Sequence, residues 1–94
     1  MVIGVCTVEL ELPTSFSLKD KRRIIQSLMR RIRNDFNVAV GEVDQQDRWQ
    51  VAVLAFACVS MDAAYAHGLL TKVTQRIEEL RLDANLVDFE IQML

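Results

Sequence analysis

The feature that most constrains the fold is an uninterrupted apolar run of nine residues, Val51 to Val59. Nine residues are too few to cross a bilayer as a helix, which takes about 20. Because both faces of such a strand are apolar, it belongs in the middle of a sheet rather than at its edge. The run therefore predicts a central strand, which we assign from Trp49 to Val59.

Three other segments have the features of strands. Val2 to Leu12 and Leu86 to Leu94 both alternate between apolar and polar residues. A strand from Asn37 to Asp44 precedes the polar turn Asp44 to Arg48, and this turn would join it to the central strand as a hairpin. The chain therefore contains four predicted strands.

Two segments have helical periodicity. The first covers residues 18–35, with Ser17 as its N-cap and Asp20 at the third helical position. Its predicted inner face consists of Leu18, Ile25, Leu28, Met29, Ile32 and Phe36. The second helix follows a cap at Ser60 or Asp62, and its inner stripe consists of Ala66, Leu70, Val73, Ile77 and Leu80.

The resulting order, βαββαβ, occupies a single domain of residues 1–94. This order contains two βα units joined by a hairpin, which predicts an α+β, ferredoxin-like sandwich. In that fold a four-stranded antiparallel sheet has the strand order 4-1-3-2, and both helices cover one face. Strands one and three are then central, which agrees with the apolar character of the third.

The uncovered sheet face predicts association. Since helices cover only one face, a strand that is apolar on both sides exposes one of them. We expect a homo-oligomer, most simply a dimer, and we assign its interface to Ala52, Leu54 and Phe56. The alternative is that the small alanine side chains make an exposed face tolerable.

The first helix concentrates positive charge. Residues 18–35 carry a net charge of +5, whereas the rest of the chain carries −7. On a helical wheel one group of cations lies beside the apolar face, and we call it the basic stripe: Lys19, Arg22, Arg23, Arg30 and Arg33. Cations at this spacing can contact successive phosphates of a nucleic acid. The alternative is a solvated face that pairs with carboxylates elsewhere.

Aromatic side chains are missing from the basic stripe and from the first strand. The third strand also lacks the basic and aromatic pattern of an RNA-recognition motif. Any RNA would therefore be bound through its backbone and shape, and we expect no sequence-specific binding to DNA.

No residues suggest catalysis, a metal site or a cofactor. His67 is the sole histidine, the serines have no activating partners, and phosphate-binding glycine loops are missing. Glu42, Asp44 and Asp47 approach a weak cation site, but turn hydrogen bonding explains the two aspartates equally well. We expect that the protein is not an enzyme.

The N-terminal segment has no signal-peptide pattern. Cys6 and Cys58 lie in apolar strand segments, as expected for free core cysteines in a reducing compartment. We expect a cytoplasmic protein that does not enter the membrane.

Several motifs carry a resemblance to a known family. SLKDKR at 17–22, FNVAV at 36–40, GEV at 41–43 and the closing VDFEIQML resemble the DUF503, or YlxP-like, family of small bacterial proteins. The resemblance covers essentially the whole chain and implies a ferredoxin-like fold without a known reaction. It also implies a link to translation, because members are often encoded near translation-initiation and ribosome-maturation factors.

These observations favour a non-enzymatic accessory protein that contacts RNA or a ribonucleoprotein through the basic stripe. Two alternatives come from other functional classes. One is a small-ligand regulatory module of the ACT type, although the loop from Pro13 to Ser17 lacks the glycine that such modules use. The other is a dimeric protein-binding adaptor that uses the acidic residues Glu9, Glu11, Asp88 and Glu90.

Overall fold

The computed structural model describes residues 1–80 and 83–94 and contains six elements in the predicted order. The strands are β1 (Val2–Glu11), β2 (Ala39–Asp44), β3 (Val51–Ser60) and β4 (Asn85–Met93), and the helices are α1 (Leu18–Asp35) and α2 (Ala63–Glu79). All strand pairs are antiparallel, in the order β2-β3-β1-β4. This is the predicted 4-1-3-2 order in reverse, so the ferredoxin-like fold is confirmed.

The β2–β3 hairpin has shorter strands and a longer connection, residues 45–50, than the sequence pattern predicts. β2 begins at Ala39 rather than Asn37, because Val38 N–H donates to Phe36 C=O in a local turn. β3 begins at Val51 rather than Trp49. The intervening turn has a hydrogen bond from Arg48 N–H to Gln45 C=O, and Gln45 has a positive φ of 58°.

The core lies between the sheet and the two helices. Helix α2 packs against β1, β3 and β4, whereas α1 contacts β2 and α2. Every second residue of the central strands points into this layer and is buried: Cys6, Val8, Leu10, Ala52, Leu54, Phe56 and Cys58. Both central strands therefore have one face in the core, as the alternation predicts.

The interface assignment of Ala52, Leu54 and Phe56 is wrong in its choice of face. All three are 0% exposed, because they point toward the helices. The exposed side of β3 carries Val51, Val53, Ala55 and Ala57 instead. Both faces of the strand are apolar, so periodicity alone does not distinguish them.

Candidate nucleic-acid interface

Helix α1 begins where its capping residues predict. Ser17 Oγ accepts a hydrogen bond from Asp20 N–H at 3.0 Å, and Asp20 Oδ2 accepts one from Phe16 N–H at 3.1 Å. These two bonds satisfy donors at the start of the helix, where no preceding turn supplies an acceptor. The helix then runs without interruption for 18 residues and carries all the cations of the stripe.

The inner face of α1 is rotated slightly from the predicted one. Its buried residues are Lys21, Ile24, Ile25, Leu28 and Ile32. Leu18 was predicted on this face, yet it is 41% exposed, and Ile24 was not predicted there. The core therefore contacts the side of α1 that is centred on Ile25, Leu28 and Ile32.

The five cations of the basic stripe are all exposed. Lys19, Arg22, Arg23 and Arg30 border a shallow surface groove of about 460 Å³. Its other lining residues are Asp20, Gln26 and Ser27. Arg33 lies one turn beyond Arg30. The stripe spans about 21 Å along the helix axis, at 1.5 Å per residue.

Neighbouring carboxylates neutralise little of this charge. Within residues 1–80 and 83–94, Arg23 is the one member of the basic stripe with an ion pair, at 3.8 Å from Asp20. Asp35, at the end of the helix, binds Arg76 of α2 at 3.0 Å instead. An exposed pair at 3.8 Å contributes little energy, so the stripe remains strongly positive.

Lys21 differs from the other cations because it is buried, with 2% exposure. Its Nζ donates to Gln45 C=O at 2.6 Å and lies 2.8 Å from Glu42 Oε2. Glu42 Oε2 is buried and accepts no hydrogen bond, so the ion pair with Lys21 compensates its charge. Lys21 thus ties the first turn of α1 to the β2–β3 hairpin.

Sequence reasoning missed Lys21, although a signal for it exists. Lys21 precedes Ile24, Ile25 and Leu28 by three, four and seven positions, so it shares their helix face. A lysine on the apolar face of a helix requires a carboxylate partner. Glu42, which had been grouped with Asp44 and Asp47 as a weak cation site, is that partner.

The side chains that could act as nucleophiles or bases do not belong to the basic stripe. Cys6 and Cys58 are free and buried, and burial raises the pKa of the Cys6 thiol from 9.0 to about 11. The Cys6 thiol is therefore protonated at neutral pH and is a poor nucleophile. His67 is exposed on α2. Among residues 1–80 and 83–94, neither helix is long and apolar enough to cross a membrane.

Comparison with solved structures supports the fold alone. The de novo designed protein Foldit4 aligns with a TM-score of 0.55 at 14% identity, covering 100% of this chain and 97% of that one. The designed protein LFR1 1, which has a ferredoxin fold, aligns with a TM-score of 0.51 at 13% identity over 99% and 84% of the two chains. Both likenesses agree with the βαββαβ topology.

Comparison with sequences identifies the family. The uncharacterized protein YlxP of Bacillus subtilis (strain 168) is 31% identical over 77 residues, which is 82% of this chain and 84% of YlxP. The model of the DUF503 family, described as proteins of unknown function, matches residues 3–91. The chain therefore belongs to the DUF503 family.

Proposed function

We propose that this protein is a non-catalytic accessory factor of the cytoplasm that binds structured RNA, alone or within a ribonucleoprotein, through the basic stripe of α1. The observation that carries the proposal is that four of the five stripe cations have no ion pair among the described residues. A solvated charged face on a helix usually has carboxylates interleaved with its cations. The stripe has no such carboxylate except Asp20 near its N-terminal end.

The shape of the stripe supports binding to a phosphate backbone. Its cations lie on one exposed side of a single helix and border a shallow groove, so an extended polyanion can follow the helix axis. Binding of an extended polyanion in this way does not require a deep pocket. Arginine also suits this role because its planar guanidinium contacts phosphate oxygens in pairs.

The choice of RNA among polyanions rests on the resemblance to a family whose members are often encoded beside translation factors. The stripe has no aromatic side chain on which bases could stack. Binding therefore depends on the position of phosphates and on the shape of the duplex rather than on base sequence.

The test is a titration of a structured RNA hairpin with the protein over a range of salt concentrations. Four or five neutralised phosphates give a slope of roughly −3 to −4.5 for log K against log salt concentration. Affinity should then fall by about 100-fold between 50 and 200 mM salt. A slope near zero would show that phosphates are not the ligand.

A charge-matched pair of variants separates the stripe from the overall charge. Arg22→Gln/Arg30→Gln removes two cations of the stripe, whereas Arg48→Gln/Lys72→Gln removes two exposed cations elsewhere. The stripe variant should lower the magnitude of the salt slope by about 2, because each lost phosphate contact lowers it by about 1. The control variant should keep the wild-type slope. Equal losses in both variants would refute a role specific to α1.

A further inference from the structure

The sheet face opposite the helices, which we call the open face, carries a broad apolar surface. No described residue of the chain packs over it. On β1 and β3, Val5 pairs with Ala57 and Thr7 pairs with Ala55, while Gly41 of β2 lies opposite Ala55. Most of these side chains are half-buried by their sheet neighbours, but Val59 is 71% exposed. The apolar members of the surface are Ile3, Val5, Ala39, Gly41, Val51, Val53, Ala55, Ala57 and Val59.

One corner of the open face is acidic. Glu9 lies directly opposite Asp88 in the β1–β4 pair, and Thr7 lies opposite Glu90. Together with Glu11 these carboxylates form the acidic corner: Glu9, Glu11, Asp88 and Glu90. No ion pair to any of them exists within residues 1–80 and 83–94. Like charges placed opposite each other destabilise a sheet, so the corner has an electrostatic cost that the fold does not offset.

We propose that the open face is the interface between two copies of this chain, which pack sheet against sheet through the apolar surface. The resulting assembly has four layers, with a helical layer on each outer side. Ala55 and Ala57 on β3 have small side chains, as does Ala39 on the edge strand β2, and Gly41 has none. Such a flat surface suits a second flat surface, and packed sheets lie about 10 Å apart.

The size of the apolar surface is sufficient for a weak dimer. The surface takes in the six residues of β2, the ten residues of β3 and about the first five residues of β1, which is roughly 70 Å of strand at 3.3 Å per residue. At 4.8 Å of width per strand, the projected footprint is roughly 330 Å² per copy, or about 670 Å² for the pair, and the relief of the side chains adds to it. Stable interfaces begin near 1,000 Å² and smaller ones are weak or transient, so we expect a dissociation constant of roughly tens to hundreds of micromolar.

The charge pattern favours a second copy over a basic partner. The acidic corner lies at one end of the face, on β4 and the C-terminal half of β1, whereas the apolar surface extends from β2 across β3 to the other half of β1. The two regions meet where Glu9 and Glu11 pair with Val53 and Val51. Two copies that overlap along β3 can still place their acidic corners on opposite sides of the contact. A basic partner would be drawn to the corner and would leave most of the apolar surface in water.

The first test is sedimentation velocity over a concentration series from a few micromolar to several hundred micromolar. Wild-type protein should change from monomer to dimer across this range. Ala57→Glu places a charge at the centre of the apolar surface and should weaken association at least tenfold. The matched control Ala64→Glu makes the same change at an exposed position in the first turn of α2, and should dimerise like the wild type. A wild-type monomer throughout, or equal behaviour of the two variants, would overturn the proposal.

The isosteric variant Val53→Thr keeps a residue that favours strands and guards against a trivial loss of folding in Ala57→Glu. It should also weaken the dimer, by several-fold, while its circular dichroism spectrum stays native.

The salt response distinguishes this dimer from a head-to-tail arrangement. The acidic corners lie apart in the proposed dimer and the apolar contact contains no ion pair, so rising salt should leave sheet-to-sheet association unchanged or strengthen it slightly. An acidic corner bound to the basic stripe of the next copy would instead dissociate as salt rises, and this outcome would refute the proposed interface. RNA binding does not enter either measurement, so failure of the RNA proposal leaves this one intact.

Discussion

At the scale of single residues, Lys21 shows that neighbouring cations in one helix have different roles. Six of the seven cations of α1 are exposed, whereas Lys21 is enclosed between the helix and the hairpin. Its contacts with Glu42 and Gln45 link positions that are more than 20 residues apart. Lys21 therefore has a structural role and is not available to bind a polyanion.

The first prediction concerns the Lys21–Glu42 pair. Lys21→Met should lower the free energy of unfolding by about 2–3 kcal/mol, because Glu42 loses its counter-ion in a largely enclosed site. The cost stays below that of a fully buried pair because the Glu42 side chain is 22% exposed. Chemical denaturation followed by circular dichroism measures the change.

Two control variants accompany this measurement. Lys19→Met removes the same charge from an exposed position two residues away, and it should change stability by less than about 0.5 kcal/mol. Lys21→Met/Glu42→Met removes both charges and should recover most of the loss. Equal stability of the two single variants would show that the pair contributes nothing.

At the scale of elements, the approach of α2 to β1 depends on Gly4. A Cβ atom at this position would lie 3.0 Å from Leu70 Cδ1, 3.2 Å from Met93 Cε and 3.4 Å from Ala66 Cβ. Leu70 and Ala66 are both fully buried in the helical layer. The absence of a side chain at position 4 thus allows α2 to pack closely on the central strand.

The second prediction compares two glycine-to-alanine substitutions. Gly4→Ala should destabilise the protein by about 1–2 kcal/mol, because Leu70 and Met93 must shift in a packed layer. Gly68→Ala lies inside α2, where an added Cβ meets no atom within 4 Å. It should stabilise the protein by up to about 1 kcal/mol through helix propensity. Thermal unfolding of both variants tests this, and a stabilising Gly4→Ala would contradict the close packing.

At the scale of the whole molecule, the charge is divided between two opposite sides. The basic stripe lies on the outer surface of the helical layer, whereas the acidic corner lies on the open face. The net charge of −2 conceals this division. In a dimer that is formed through the open faces, the two basic stripes would lie on opposite outer surfaces.

The third prediction is that the two proposed activities are separable. Arg22→Gln/Arg30→Gln should dimerise like the wild type, since neither residue lies on the open face. Ala57→Glu should bind a short RNA hairpin with wild-type affinity, because one stripe suffices for it. On an RNA long enough to reach both stripes of a dimer, the same variant should lose about 10- to 100-fold in affinity through lost avidity.

Fluorescence anisotropy with labelled short and long RNAs measures this difference. Equal losses of Ala57→Glu on both RNAs would show that the open face and the basic stripe are coupled.

The sequence by itself determined the order and type of every element, the cap of α1 and the outward direction of the basic stripe. Each of these is visible in the spacing of residues near one another in the chain, because helices and strands repeat with fixed periods. The predicted bounds of α1, residues 18–35, are confirmed for this reason.

Only the tertiary structure decided which face of β3 the helices cover and where Lys21 binds. The alternating residues Leu54 and Val53 are both apolar, so the choice between them depends on the side from which α2 packs. The partner of Lys21 likewise depends on how the hairpin folds back onto α1. Both outcomes follow from contacts between segments that are distant in the chain, and local periodicity carries no information about such contacts.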